Sequence, residues 1–167
     1  MIEARTSTVD DTRAVAVALA SVVRADDVLL LAGELGAGKT AFVQGLGSGL
    51  GVTERITSPT FTIAHEHVGD LTLHHLDVYR LDNVHEALDI GLADILDDGS
   101  VIVVEWGDVI APALPRDYLE VRLTFGDGDD DRILTFRTVG ARWADRERRL
   151  AELTAPWRPA ALGDGPC

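Results

Sequence analysis

Apolar positions run densely from Val15 to Val23 behind the polar opening "TSTVDDTR", and that pattern predicts a helix. Thr8 is its N-cap, with Asp11 three residues on. "DVLLLAG" is instead short and continuously apolar up to a glycine, which predicts a buried parallel strand. A second helix is expected from Lys39 to about residue 50. Gly45, Gly47 and Gly49 each weaken it by roughly 1 kcal/mol relative to alanine, and close packing against the sheet is the expected reason for them.

Further along, the period changes to that of strands. "TFTIAHEHVGDLTLHHLDVYRL" holds two β-rich runs around Gly69-Asp70, a pair suited to a two-residue hairpin turn. That turn would set His65 roughly opposite His74. "NVHEALDIGLADILDD" is helical with a glycine interruption, and "SVIVVEW" is another buried strand. "YLEVRLTF" and "RILTFRTV" form a second hairpin around the acidic tip "GDGDDD", and "ARWADRERRLAEL" predicts a last amphipathic helix. Helices alternating with apolar strands give an α/β fold whose parallel sheet carries added antiparallel hairpins. Residues 1–155 make one domain in this reading. Residues 156–167 form a Pro- and Gly-rich tail that is expected to be loose.

Composition narrows the class. At 167 residues, 46% hydrophobic and 26% charged, the chain suits a soluble domain with its own core. Its apolar runs are too short to span a bilayer, and no secretory signal opens it. The single cysteine, Cys167, has no partner for an internal bridge, so a reducing cytoplasm is the expected location. A formal net charge of −13 repels phosphate backbones. Extended direct binding to nucleic acid is therefore disfavoured, whereas a basic protein partner is not.

Among fifteen basic residues there is one lysine, and it falls at Lys39. Gly33-Glu34-Leu35-Gly36-Ala37-Gly38-Lys39-Thr40 matches G-x-x-x-x-G-K-[ST], after an apolar strand and before a helix. Glycines let successive N–H groups curl toward phosphate oxygens, and the helix adds its N-terminal partial positive charge. Lys39 reaches the β- and γ-phosphates as a compact point charge that arginine's planar fork does not replace. Thr40 offers a hydroxyl to Mg2+. An accidental glycine-rich turn is the bland alternative, and the strand-before, helix-after context weighs against it. The fold class sharpens to a three-layer, P-loop NTPase-like mixed sheet flanked by helices.

Such a site needs an acid for the metal or the attacking water. Glu105 ends "VIVVE"; Asp77 ends "LTLHHLD", a poorer strand because two histidines interrupt it. A strand-end carboxylate in solvent, or paired with arginine, is the ordinary alternative for each. Beside a P-loop, the C-terminal edge of the sheet favours a ligand role. Guanine readers usually carry [NT]-K-x-D, which needs a second lysine, so adenine is the expected base. His65, His67 and His74 lack cysteine partners and the spacing of a known zinc site, so solvated or packed histidines are expected. Trp106 either packs near the nucleotide or fills the core.

Taken in order, "GELGAGKT", "ITSPTFT", "LDVYRL" and "VIVVEWGD" resemble the TsaE (YjeE) family, over residues 8–115. These are small bacterial P-loop ATPases required for the threonylcarbamoyl-adenosine modification of tRNA. The resemblance implies that Leu35, Gly36, Ala37, Gly38, Lys39, Thr40 and Ala41 cradle ATP or ADP, with Thr40 and Glu105 on Mg2+. It makes Asp77 the second essential acid, completing a catalytic set with Lys39 and Glu105. It also implies a switch-like loop at Thr57, Ser58, Pro59 and Thr60, with Thr60 at the nucleotide. Val9 and Asp10 would approach the adenine, and Trp106 follows the glutamate as in relatives. Ala41 departs from the pattern, since relatives often carry a second threonine there. The implied partner is the TsaD–TsaB pair, which would hold the tRNA, stimulate hydrolysis and be reset by it. A small-molecule kinase is the alternative; it would need a basic lid, for which Arg55 and Arg80 are the nearby candidates. A nucleotide-dependent binding module with incidental hydrolysis is a third class.

Overall fold

The computed structural model describes residues 1–59, 63–106 and 110–159. Seven strands form one sheet in the order β1-β7-β6-β2-β5-β4-β3. Its centre is parallel, with β6 (Tyr118–Phe125), β2 (Val28–Ala32), β5 (Val101–Glu105) and β4 (Leu73–Asp77) side by side. Antiparallel strands finish both sides: β3 (Ala64–His67) lies against β4, while β7 (Arg132–Val139) and β1 (Ile2–Thr6) extend beyond β6.

Burial follows from strand position. Every residue of β4 and β5 is buried, as expected of strands covered on both faces. In β6, Leu119, Val121 and Leu123 are buried while Glu120 and Arg122 are not, the alternation of a strand with one covered face. On one face, Leu29, Leu31, Val121 and Phe136 pack with Leu19 of α1 (Val9–Ala20) and with Phe42 and Leu46 of α2 (Lys39–Gly49). Trp143 of α5 (Ala141–Ala144) and Leu150 of α6 (Glu147–Leu153) close that core. On the other face, Val28, Leu76, Ile102 and Val104 meet Ala87 of α3 (Val84–Asp89), Leu92 of α4 (Leu92–Leu96) and Ile110. The result is the three-layer mixed α/β sheet of a P-loop NTPase. Among the described residues, no helix is long and apolar enough to cross a membrane.

Several sequence expectations change here. β1 was not anticipated. The last helix is two short ones, because Arg146 between them turns inward: its guanidinium donates to Arg142 O (3.0 Å), Val22 O (2.8 Å) and Asp27 Oδ1 (2.9 Å). The first hairpin is one residue out of the expected register, so His65 pairs with His75 rather than His74. Its connection is longer than a two-residue turn, since the Asp70 amide donates to Leu50 O (2.8 Å) at the end of α2. β4 is not a poor strand either. Its two histidines are buried against carboxylates, His74 Nε2 at 2.7 Å from Asp98 Oδ2 and His75 Nε2 at 2.8 Å from Glu105 Oε1. Burial alone would raise Asp98, but bonds from Ser100 and His74 outweigh it and hold that carboxyl below its ordinary value.

The α2 glycines pack against a helix as well as the sheet. A Cβ at Gly45 would lie 2.2 Å from Arg13 O of α1, and one at Gly49 would lie 2.5 Å from Ala20 Cβ. Only Gly47 faces Ile56 and Leu73 of the sheet side. In the tail, Ala155–Trp157 form a 3-10 turn with Trp157 packed against the core, and residues 160–167 lie outside the described residues.

Candidate nucleotide site

β2 delivers the chain to the C-terminal edge of the sheet, where residues 33–38 turn before α2 begins at Lys39. Gly38, the residue before the helix, sits at φ 102°, a left-handed conformation that side chains resist. Gly38 has no side chain to cap α2, and among the described residues none accepts from its first-turn amides. That is the arrangement a phosphate fits: uncapped N–H groups, a helix dipole and a lysine in one turn. Lys39 is 7% exposed, and its ammonium donates to Gly33 O (2.7 Å) and Glu34 O (3.0 Å) of its own loop.

Trp106, just past β5, shares this corner. Its ring centroid lies 4.9 Å from Lys39 Nζ and 5.4 Å from the Tyr79 ring, and its backbone holds φ 61°. A bulky residue at positive φ costs of order 1–3 kcal/mol, and sites that hold one are commonly functional. At 37% exposure it does not fill the core.

Two carboxylates reach the same edge. Asp77 and Glu105 end β4 and β5, and Glu105 also pairs in register with Leu31, at the end of the strand that feeds the loop. Both are buried, at 8% and 4% exposure. Asp77 Oδ1 accepts the Tyr79 amide (3.1 Å), and Glu105 Oε1 meets His75. Thr40 is half-buried in the first turn of α2, and Ala41 after it is buried. These hard oxygen donors suit Mg2+, which takes few protein ligands and fills its shell with phosphate and water.

The first turn of α1 borders the loop, with Thr12 Cγ2 3.9 Å from where a Gly38 Cβ would lie. Val9 is half-exposed there, and Asp10 is occupied by Arg13 at 2.7 Å. Leu35 projects into solvent at 92% exposure, while Ala37 is buried. Thr57 and Ser58 are exposed and Pro59 is buried, its carbonyl accepting the Ile63 amide (2.9 Å). Thr60 lies outside the described residues.

Two further residues were not read from the sequence. Arg132, opening β7, donates from Nε to Ala37 O (3.2 Å) and from a terminal nitrogen to Gly36 O (3.3 Å). It therefore holds the loop's carbonyls outward from a position 95 residues away, where no local pattern signals it. His75 did leave a signal, as a polar residue inside an apolar strand two positions before Asp77.

Beside the loop, on the sheet face away from α1 and α2, lies a cleft of about 530 Å³. Leu30, Trp106, Ala111 and Phe125 supply apolar walls, and Glu120, Arg122 and Arg137 a charged one. Burial would raise the Glu120 carboxyl, but hydrogen bonds and charge from Arg137 and Arg122 outweigh it and hold it below its ordinary value. The same contact with Glu120 raises Arg137.

Comparison with known proteins shows the family and the fold. The family model described as threonylcarbamoyl adenosine biosynthesis protein TsaE matches residues 6–134. A tRNA threonylcarbamoyladenosine biosynthesis protein TsaE from Bacillus subtilis (strain 168) is 42% identical over 140 residues, covering 83% of this chain and 87% of that protein. Its namesake from Streptomyces coelicolor is 47% identical over 133 residues, covering 75% of this chain and 89% of that one. The crystal structure of Bacillus subtilis YdiB superposes with a TM-score of 0.75 at 36% identity, over 93% of this chain and 94% of that one. The chain belongs to the TsaE family of threonylcarbamoyl adenosine biosynthesis proteins.

Proposed function

We propose that the protein is a Mg2+-dependent ATPase serving as accessory subunit in the threonylcarbamoyl-adenosine modification of tRNA, its hydrolysis resetting a TsaD–TsaB complex. The observation that carries this reading is the meeting of three things at one sheet edge: the 33–40 loop, Lys39, and the strand-end acids Asp77 and Glu105.

In this reading the amides from Leu35 to Ala41 hold the phosphates of ATP. Lys39 leaves the carbonyls of Gly33 and Glu34 and lies on the β- and γ-phosphates, countering charge that grows on the transferred group. Thr40 and Glu105 are the metal-side oxygens, and Asp77 orients water or the metal's water shell. Mg2+, when bound, neutralises phosphate charge. Val9 and Asp10 border the adenine, Trp106 shields Lys39 from solvent, and Thr57 to Thr60 respond to the γ-phosphate.

A protein partner is supported by the rim of the site. Trp106 and Phe125 line one cleft, Tyr79 lies against Trp106 and Leu35 projects from the loop, all exposed apolar side chains, a pattern typical of surfaces that another protein covers. The net charge of −13 leaves tRNA to that partner. ATP turnover by the purified protein, with and without the TsaD–TsaB pair at matched Mg2+, tests the reading. Strong stimulation is expected. An unchanged rate with intact ATP binding rules out the accessory role and turns attention to metabolite phosphorylation.

A further inference from the structure

His75 is two residues from Asp77, yet its imidazole serves the neighbouring strand. Its Nε2 lies 2.8 Å from Glu105 Oε1 across the parallel pair β4–β5. The ring is fully buried and Glu105 is 4% exposed, so this contact is made away from solvent. The other ring nitrogen, Nδ1, is buried without a hydrogen-bond partner among the described residues. An orphaned buried polar atom costs about 1–3 kcal/mol. A leucine would fill the same space without that cost, so packing alone does not account for an imidazole here.

The chemistry fixes the direction of the bond. An ionised carboxylate only accepts, so the proton of this bond sits on Nε2. We propose that His75 is a positioning residue: its Nε2–H holds Oε1 of Glu105, so that the carboxylate presents its second oxygen to the nucleotide site in one orientation. This rests on the ATPase reading above. His67 makes a similar contact with Glu54 (2.6 Å), but that carboxylate is 56% exposed and His67 pairs with Leu73, at the opposite edge of the sheet. Among the described histidine–carboxylate pairs, His75–Glu105 alone is buried on both sides.

Nitrogen-15 NMR of the uniformly labelled protein reads the ring protons directly, and a proton on Nε2 is expected. His75→Leu removes the donor and keeps the bulk; His75→Gln keeps an N–H near the same place. With TsaD–TsaB present, His75→Leu should lower kcat on the order of 10- to 100-fold, leaving KM for ATP within about twofold. His75→Gln should recover much of that loss. The gain in ADP affinity on adding Mg2+, read by calorimetry, should follow the same order. An Nε2 without a proton, a leucine variant with the parent's kcat and Mg2+ gain, or two variants equally impaired would each overturn the assignment. If His75→Leu does not fold, the Nε2 proton and His75→Gln decide, since a glutamine variant with the leucine-like deficit overturns it alone. A parent with no turnover sinks the ATPase reading instead, and the Nε2 proton and the Mg2+ gain still judge His75.

Discussion

Asp77 and Glu105 are register partners, side by side at the C-terminal ends of adjacent parallel strands. Two carboxylates so placed repel each other unless something positive arrives between or beside them. Glu105→Ala is therefore expected to abolish hydrolysis while ADP binding stays measurable. Asp77→Asn should lower turnover with little change in ADP affinity. Single-turnover kinetics beside calorimetric ADP binding check both. Normal hydrolysis by Glu105→Ala would remove that residue from the site.

Lys39 occupies a narrow place between two loop carbonyls and the face of Trp106. A guanidinium is wider and planar, and cannot turn as a point charge between carbonyl and phosphate. Lys39→Arg should lose on the order of 10²–10³ in kcat, comparable to removing one transition-state donor. Full activity in that variant would undo the explanation of the lone lysine.

Arg132 acts on the loop without belonging to it. Losing its two bonds to Gly36 and Ala37 frees carbonyls whose orientation sets where the opposite amides point. Arg132→Ala should weaken ADP binding roughly tenfold, about 1.4 kcal/mol. Arg132→Lys should fall between, because an ammonium cannot fork across two carbonyls. Unchanged calorimetric affinity in the alanine variant would mean that the loop holds its shape alone.

At the opposite edge, Asp27 and Arg146 form a buried ion pair, at 1% and 4% exposure. Removing Asp27 strands Arg146 as an uncompensated buried charge, and removing Arg146 leaves Asp27 with only the half-exposed Arg142, 3.7 Å away. Asp27→Ala or Arg146→Ala should cost about 3–5 kcal/mol in denaturant unfolding, whereas replacing both by apolar residues should cost much less. Equal losses in single and double variants would contradict that account.

Glu120 gives the pH dependence a sign. Its carboxyl is held below the ordinary 4.5, so the unfolded chain takes up its proton first as pH falls. The stabilisation is complete above that value and is lost as pH drops through the lower, folded one. Glu120→Gln should lower Tm at pH 7, and the gap should close in strongly acidic buffer. A gap that widens toward acid would reverse the sign.

Much of this was legible because local chemistry set it. The Thr8 cap accepts the Asp11 amide at 3.0 Å as its spacing implies, and the helix break at Gly91 falls at φ 85°. The P-loop, Asp77 and Glu105 were readable for the same reason, as strand ends carrying a polar residue after an apolar run. What escaped was set by distant parts of the chain. β1 is five residues long, and its reason to be a strand is β7, more than a hundred positions away. The hairpin register slipped because Asp70 is bound to the end of α2 rather than closing a tight turn. Arg132 and the His75–Glu105 bond are contacts between segments, and no spacing rule records those.

The seam between α1 and α2 constrains how this chain can vary. Position 45 faces the Arg13 carbonyl so closely that even a methyl group there requires α1 to retreat. α1 also carries Thr12, which borders Gly38, and begins at Val9 and Asp10. A substitution deep in the helix pair would therefore move the wall of the nucleotide loop without touching it. Position 45 admits no side chain while α1 keeps its place, whatever letters α1 carries, because the obstacle is the Arg13 backbone.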